Sequence, residues 1–323
     1  MRRRPLRLFP SAIALVVGGA AVWTAAAVLP LPEAELLRRL RDADFTIVSS
    51  EATGSGVMGA KEWTIRFADG VTIHAKWKVT PASGDGWNNS PRREIGVYAV
   101  QALFLDPENY IVPPSVARCV PLEGYRVVQP DPKPNLDFPG AHCVFGQLTA
   151  WLDNVRQPEV LFDRERFSKD RAYAFHFANL NLLHYLVDHR DARLSNFLVA
   201  KDPSDARVYS IDNGIAFGNL VFDYLVTNYN TIRVSALPRQ SVERVRQVTR
   251  AQLDQLGVLG QLELDSAGVL RNVALGPNLD PERGVRITAT VLQFGLTKSE
   301  IDAVAERIHV LLTRIDAGEL GVF

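Results

Sequence analysis

The chain has few cysteines and no excess charge of either sign, and each shortage excludes a class of protein. Its 323 residues include two cysteines, Cys119 and Cys143, whose separation fits no C-x-x-C metal or redox motif. Basic and acidic residues number 36 each, so the formal net charge is zero. Because no basic excess is available to neutralise phosphates, we expect no nucleic-acid partner. The two cysteines would pair in an oxidising compartment and would stay as buried thiols in the cytosol.

The sequence also lacks internal repeats, low-complexity tracts and any strong compositional bias. Hydrophobic residues make up 47% of the chain and charged residues 22%, which is the composition of an ordinary globular protein. The length suits one large domain or two small ones. Arginine greatly outnumbers lysine, so the position of each lysine is informative.

One long uncharged run is present near the start of the chain. Residues 11–29 contain no charged side chain, and they follow a decapeptide with four arginines. About 17–25 such residues are needed to cross a bilayer as a helix. We therefore expect residues 1–31 to be a membrane signal anchor, or the cleaved signal peptide of a secreted protein. The arginines should stay cytoplasmic, which places the rest of the chain on the non-cytoplasmic side of the membrane.

A glycine-rich segment, G-S-G-V-M-G at residues 54–59, lies between two predicted strands. A dinucleotide-binding unit would place a helix directly after these glycines. A strand follows instead, as in the loop whose backbone amides close over the nucleotide phosphates of protein kinases. We therefore predict that Gly54, Gly56 and Gly59 bind a nucleotide; a flexible hairpin loop is the alternative.

The third predicted strand, residues 72–79, supplies two lysines to one face. Lys76 and Lys78 share that face because side chains alternate along a strand. In kinases, a lysine on such a strand binds nucleotide phosphates and pairs with a helix glutamate. The following helix, expected over residues 92–105, carries Glu94 in its first turns. We choose Lys78 as the partner of Glu94 and keep Lys76 as the alternative.

Two later motifs have the spacing of a phosphoryl-transfer site: H-R-D-A-R-L-S-N at 189–196 and D-N-G at 212–214. Such a site needs one carboxylate near the attacking hydroxyl and separate oxygen ligands for a metal on the nucleotide phosphates. We assign Asp191 to the first role. Asn196 and Asp212 are assigned to the metal.

The segment between these motifs predicts a β-hairpin. Residues 197–200 and 208–211 are short apolar runs separated by a turn sequence. A hairpin would return the metal ligand to the catalytic loop. Within that loop, Arg193 would add positive charge near the transferred phosphate, or lie as an ordinary surface arginine.

The remaining pattern predicts an α+β protein with two lobes. An antiparallel sheet would form the lobe at residues 32–145, and a mainly helical lobe would occupy residues 146–323. We place the boundary near Gly146 and expect adenine to bind the backbone of residues 144–147.

The end of the chain is expected to be helical. One helix is predicted over residues 241–256 from its amphipathic pattern. A last helix would begin at the capping box formed by Thr297 and Glu300.

Three stretches resemble a known group of kinases. They are I-D-N-G-I-A-F-G at 211–218, V-P-P-S-V-A-R at 112–118, and the pair Trp77-Lys78. They are similar to atypical kinases of the secretory pathway, the group of the Golgi casein kinase and xylosylkinase. HipA-type kinases and phosphatidylinositol 3- and 4-kinases are more distantly similar. The resemblance covers roughly residues 45–236.

This resemblance implies a bilobal protein-kinase-like fold, bound ATP, and Mg²⁺ or Mn²⁺ as the metal. The acceptor would be a hydroxyl group on a protein or a glycan. The chain departs from the pattern at three places. Asn213 replaces the phenylalanine of D-F-G, the related kinases often carry an acidic residue at the position of Asn196, and Arg190 has no phosphorylated activation segment to bind.

Three functions remain open on the sequence. The first is an active kinase, and the second is a catalytically silent kinase-fold regulator that binds nucleotide. The third is a lipid-headgroup or small-molecule kinase that meets its substrate at the membrane. The presence of Asp191, Asn196 and Asp212 together favours the active kinase, because a scaffold needs none of their chemistry.

Overall fold

A computed structural model of the chain describes residues 28–53, 59–86, 90–218 and 229–323. They form a mixed α+β protein with antiparallel sheets and several helices. Most of the expected membrane segment, residues 1–27, lies outside the described residues. Among the residues that the structure describes, no helix combines the length and the apolar character needed to cross a membrane.

A five-stranded antiparallel sheet organises the first half of the chain. Its strands are Phe45–Ala52 (β1), Lys61–Phe67 (β2), Thr72–Val79 (β3), Ser115–Pro121 (β4) and Cys143–Ala150 (β5). Neighbouring strands follow the order β1-β2-β3-β5-β4. On its apolar face Trp63 stacks on Trp77, with ring centroids 4.5 Å apart. Helix Glu33–Asp42 (α1) covers this face with Leu36 and Leu40.

The helix that carries Glu94 spans Pro91–Gln101 (α2) and packs against β4. It begins as Ser90 and Pro91 predict, because proline fits the first turn of a helix. It ends before the expected residue 105. The Gln101 side chain accepts the amides of Ile111 and Val112, each at 2.8 Å, and so fixes the chain that follows. A one-turn helix, Leu122–Tyr125 (α3), comes after β4.

A disulfide bond joins Cys119 to Cys143, with their Cα atoms 5.4 Å apart. The two residues lie on the neighbouring strands β4 and β5, where Cys119 is opposite Phe145. Of the two states that the sequence left open for the cysteines, the structure has the paired one.

The middle of the chain combines helices with a small sheet. The helices are Arg164–Lys169 (α4) and Arg171–Leu186 (α5), and the strands are Val155–Arg156 (β6), Phe197–Ala200 (β7) and Val208–Ser210 (β8). The strands pair in the order β6-β7-β8, so the predicted hairpin is confirmed. Helix α5 is buried along most of its length. Its apolar residues form part of a second hydrophobic core, separate from the one on the apolar face of the first sheet.

The last third of the chain contains two helical regions. The first begins after strand Ala236–Leu237 (β9) and consists of Arg239–Gln247 (α6) and Arg250–Gln255 (α7). The single helix expected over 241–256 is interrupted because Thr249 begins α7 with its own capping box. Helix Lys298–Asp316 (α8) begins with the predicted capping box of Thr297 and Glu300, which is confirmed. Strand Gly321–Val322 lies parallel to β9.

The segment between α7 and α8 forms a sheet, so the expectation of a mainly helical region is wrong there. Its strands are Gly260–Leu264 (β10), Leu270–Asn272 (β11), Val285–Ile287 (β12) and Val291–Phe294 (β13), and Gly321–Val322 is therefore β14. The antiparallel order is β11-β10-β13-β12. Leu292 and Phe294 alternate along β13 and are buried with Phe145 of the first sheet. Gln293, between them on the opposite face, is also buried, so both faces of this part of β13 are covered.

The boundary expected near Gly146 falls inside strand β5, which continues to Ala150. Gly146 is a packing position, because a Cβ atom there would lie 2.6 Å from the Lys78 carbonyl oxygen and from the Trp77 ring. The chain leaves the first sheet after Ala150.

Candidate active site

A cavity of about 460 Å³ lies between the first sheet and the β7–β8 hairpin. The sheet contributes Lys76 and Gln147, helix α2 contributes Glu94, and the segment after β8 contributes Asp212. Its apolar lining comes from Val112, Pro113, Ala150, Trp151, Leu152, Leu198 and Ile211. Charged groups and an apolar surface therefore share one space, as in pockets that bind small organic ligands.

Asp191 lies in the loop after helix α5, where several donors fix its side chain. The Arg193 guanidinium binds both carboxylate oxygens, with Nε 2.9 Å from Oδ1 and Nη2 3.0 Å from Oδ2. Asn196 Nδ2 donates to the Asp191 carbonyl at 2.8 Å and to its carboxylate at 3.1 Å. The spacing of Asp191 and Asn196 in the sequence thus corresponds to direct contact in the fold.

Backbone pairing brings Asp212 to the same loop. The Ile211 amide donates to the Asn196 carbonyl at 3.0 Å. Asp212 follows with φ of 59°, a left-handed conformation that residues other than glycine seldom adopt and that clusters at functional sites. The Lys76 ammonium forms an ion pair with its carboxylate. Burial acts to raise the pKa of Asp212, but Lys76 lowers it below the usual value.

Glu94 connects helix α2 to the turn that carries Asp212. Its carboxylate is buried and accepts the Asn213 amide at 2.9 Å. Burial raises the pKa of Glu94, and the nearby Asp212 raises it further, while Lys76 and Lys78 oppose the shift. Glu94 therefore contacts the D-N-G turn through a hydrogen bond and interacts electrostatically with both lysines.

The two lysines of β3 have different environments. Lys76 lines the cavity and contacts Asp212; burial alone would lower the pKa of Lys76, but Asp212 and Glu94 raise it. Lys78 is only 8% exposed, and burial together with the adjacent Lys76 lowers its pKa. Our choice of Lys78 over Lys76 for the phosphates is not supported by this geometry, because the cavity is reached by Lys76.

The structure describes one of the three predicted loop glycines. Gly59 lies between β1 and β2 with φ of 70°, a conformation that favours glycine. Thr53 and Ala60 close the loop, with the Thr53 hydroxyl donating to the Ala60 carbonyl at 3.1 Å. Gly54 and Gly56 lie outside the described residues.

The expected adenine-binding backbone, residues 144–147, is not free to bind a nucleobase. Gly146 and Gln147 pair with both β3 and β4, and Val144 and Phe145 pair with β4. The Phe145 backbone also bonds to Thr80 and Asn135. The chain beyond β5, Trp151–Asn154, leaves the sheet and lines the cavity. The expectation that adenine binds at 144–147 is therefore corrected. In the 151–154 segment the Trp151 and Asp153 amides are also already bonded within the chain, to the carbonyls of His74 and Val28.

Two buried histidines, of which the sequence indicated only His189, lie next to the D-N-G turn. The rings of His184 and His189 stack with centroids 4.5 Å apart. His184 Nε2 lies 2.9 Å from Ser210 Oγ, which donates to Asn213 Oδ1 at 2.7 Å. The H-R-D tripeptide indicated His189, but His184 lay in an apolar helix and gave no separate signal. Burial lowers the pKa of His189 to about 4.

We expect His189 to make the protein sensitive to acid. Its pKa of about 4 in the folded state is below the unfolded value near 6.5. The unfolded chain therefore binds this proton first, and stability is lost as the pH falls from about 6.5 to about 4. The full loss from His189 should approach 3 kcal/mol, about 1.4 kcal/mol for each pH unit.

Urea unfolding of wild type and His189→Phe between pH 7.5 and pH 4.5 measures this contribution. The phenylalanine keeps a ring against His184 but cannot titrate, so its stability should fall less steeply with acid. Parallel pH dependences of the two proteins would contradict the assignment.

Asp188 connects the loop that carries Asp191 to helix α8. Its carboxylate accepts from Arg190 at 2.9 Å, from Arg307 of α8 at 2.9 Å, and from Asn230 at 3.1 Å. The Arg190 side chain, for which the sequence offered no phosphorylated partner, therefore contacts a buried aspartate. No local sequence pattern could have paired Asp188 with Arg307, because the contact joins distant parts of the chain.

The oxygen ligands predicted for a metal suit Mg²⁺ or Mn²⁺. The described residues contain no cluster of three or more His, Cys, Asp or Glu that could hold a metal. A nucleotide-bound Mg²⁺ needs only one or two carboxylates, because phosphates and water complete its shell. Asp212 would supply a carboxylate to such an ion, and Asn196, whose Nδ2 is bonded to Asp191, would supply its amide oxygen.

No protein-family model matches the chain, and no curated protein matches it. What the site can do must therefore be inferred from its residues. These are an oriented aspartate, a lysine, a helix glutamate, and an amide and a carboxylate suited to a metal.

Proposed function

We propose that the protein is an ATP-dependent phosphotransferase that moves the γ-phosphate to a hydroxyl group on a protein or a glycan. The observation that carries this proposal is a cavity lined by four separate chain segments, with a fifth segment hydrogen-bonded to one of them. The cavity is lined by Lys76 from β3, Glu94 from α2, Asp212 after β8 and the 151–154 segment. The loop with Asp191 and Asn196 adjoins Asp212 through the hydrogen bond from the Ile211 amide to the Asn196 carbonyl. Phosphoryl transfer is catalysed mainly by positioning and by electrostatic stabilisation, which are what these groups provide.

A protein-kinase-like arrangement of two lobes is part of this proposal. A sheet with a glycine loop between β1 and β2 would lie above the nucleotide, and α5 with the β7–β8 hairpin would lie below it. The resemblance to atypical secretory-pathway kinases is consistent with this placement. The sheet of β10–β13 packs against the first lobe, so the second lobe would consist of residues 151–255 with helix α8.

The roles of the residues follow from their contacts. Asp191 accepts the proton of the acceptor hydroxyl. The oxygen of that hydroxyl bonds to the γ-phosphorus as the bond between the γ-phosphorus and ADP breaks. Asn196 and Asp212 would hold Mg²⁺ or Mn²⁺, which would neutralise charge on the phosphates. Lys76 approaches the phosphates from the sheet, and Arg193 orients Asp191 and adds positive charge beside the transferred group.

The proposed location is the non-cytoplasmic side of a membrane, or the exterior if the first segment is cleaved. The disulfide between Cys119 and Cys143 supports this proposal, because disulfides persist in oxidising compartments. A eukaryotic secretory lumen would supply both the oxidising conditions and ATP.

A catalytically silent nucleotide-binding regulator is the second candidate. The observation in its favour is that a cation occupies each catalytic carboxylate, Arg193 on Asp191 and Lys76 on Asp212. Incubation of the chain with γ-labelled ATP, Mg²⁺ or Mn²⁺, and mixed protein and glycan acceptors separates the two. Label on an acceptor hydroxyl supports the transferase, while nucleotide binding without any transfer, including autophosphorylation, supports the regulator.

Lys76→Met is expected to lower phosphoryl transfer by about 10²–10³-fold, the usual effect of losing one charge-stabilising group. Lys78→Met should have a much smaller effect on transfer, because Lys78 is buried beside the cavity and does not line it. The two variants are matched, since both remove a lysine from β3. Initial rates with saturating ATP decide between them, and a larger loss for Lys78→Met would reverse the assignment.

A further inference from the structure

The first turn of helix α2 is held by a buried group of charges. Arg92 donates to Glu300 at 2.5 Å and to Asp85 at 2.7 Å, and Arg93 donates to Glu300 at 3.3 Å. Arg92 is 5% exposed and Glu300 is 9% exposed. Removing one partner from such a pair leaves an uncompensated buried charge, which is strongly unfavourable. The cluster therefore constrains where helix α2 begins.

Glu300 also forms the start of helix α8. Its carboxylate accepts the Thr297 amide at 2.9 Å, while the Thr297 hydroxyl accepts the Glu300 amide at 3.2 Å. One carboxylate thus completes the capping box of α8 and binds the first turn of α2. The beginnings of the two helices are coupled through this single side chain.

Two glycines allow α2 to lie closely between its neighbours. A Cβ atom at Gly284, after the second sheet's β11, would lie 2.3 Å from Arg92 Nε. A Cβ atom at Gly96 would lie 2.9 Å from Leu296 and 3.1 Å from the ring of Phe217. Helix α2 is therefore confined between the segment leading into α8 and the segment that follows the D-N-G turn.

We infer that the contact between Arg92 and Glu300 positions Glu94 for phosphoryl transfer, so that the C-terminal part of the chain sets the active geometry. Glu94 lies two residues after Arg92, and its carboxylate binds the Asn213 amide next to Asp212. A shift of α2 would move this carboxylate away from the turn and from Lys76. This inference rests on the proposed transferase function. Arg92 and Glu300 are positioning residues, because they act through Glu94.

The test compares Glu300→Gln and Arg92→Met with Thr297→Ala in the full chain. Glutamine can still complete a capping box, so Glu300→Gln removes the charge that holds Arg92 while keeping α8 capped. Thr297→Ala loses the cap but keeps the ion pair. We expect kcat/KM for ATP to fall about 10- to 100-fold in the first two variants, as for a misplaced catalytic group. Thr297→Ala should lower thermal stability without this loss.

Hydrogen exchange at the Asn213 amide gives a readout that needs no turnover. Exchange should be faster in Glu300→Gln and Arg92→Met than in wild type, and unchanged in Thr297→Ala. If wild type transfers no phosphate, the proposed function fails, yet this measurement still tests the positioning. Unchanged exchange in both charge variants overturns the inference, and Glu300→Gln decides alone if Arg92→Met does not fold.

A Glu94→Gln background separates positioning from general destabilisation. If Arg92 acts through Glu94, adding Arg92→Met to Glu94→Gln should cause little further loss of kcat/KM. Fully additive losses would mean that Arg92 acts by another route, and the inference would be wrong.

Discussion

Replacing Asp212 with asparagine is expected to abolish the metal dependence of ATP binding and to lower phosphoryl transfer by about 10²–10³-fold. Asp212 is the carboxylate of the predicted metal pair, and Lys76 keeps its pKa below the usual value. Asparagine has nearly the same shape but carries no charge, so the phosphates lose their link to the metal. Lys76 also loses its anionic partner. Binding and turnover should therefore fall together.

Titration calorimetry with ATP measures this effect. Wild type should bind ATP with Mg²⁺ or Mn²⁺ and bind it much more weakly in chelator, whereas Asp212→Asn should bind weakly in both. Asp202→Asn is a matched control, because Asp202 lies on the β7–β8 turn and bonds to Ser204 outside the cavity lining. If wild type bound ATP equally well with the metal and with chelator, the metal assignment would be wrong.

The sequence could predict that the 189–196 loop and the turn at Asp212 lie side by side, because the chain between them is short. Two apolar runs joined by a turn can form a hairpin without distant partners. The hairpin then requires the loop and the turn to be neighbours. The hydrogen bond from the Ile211 amide to the Asn196 carbonyl is the contact that results.

The choice between Lys76 and Lys78 could not be made in the same way. Both lie on one face of β3 by the alternation of side chains, and the sequence offers no further distinction. Their different burial arises from tertiary packing, since Lys76 lies opposite Thr149 and Lys78 opposite Gln147 of β5. Which lysine reaches Asp212 thus depends on the whole sheet.

The second sheet was missed for a related reason. Strands β10 to β13 are only three to five residues long, and runs of that length carry little periodicity. Their buried apolar residues, among them Leu262, Leu292 and Phe294, pack with residues of the first sheet, which is far away in sequence. Hydrogen bonds and packing with distant strands, rather than local propensity, decide that this segment is not helical. The contact between Arg92 and Glu300 also joins residues far apart in the sequence, so no local pattern could predict it.

Asp191→Asn is expected to lower turnover by about 10²–10⁴-fold, the contribution of a positioned general base. Nucleotide affinity should stay nearly unchanged. Asn196 Nδ2 donates to the backbone carbonyl of residue 191 as well as to its carboxylate, so this contact can survive the substitution and keep Asn196 near Asp212. The loss should therefore appear in kcat and not in the dissociation constant for ATP.

Comparing Asp191→Asn with Asp212→Asn separates an enzyme from a scaffold. An active kinase predicts loss of turnover alone for the first variant and loss of both binding and turnover for the second. A silent regulator predicts no transfer in wild type and no effect of Asp191→Asn. If the two variants weakened ATP binding equally, the roles of the two aspartates would be wrongly assigned. Asp191 would then belong to the nucleotide site, and the proton of the acceptor would need another base.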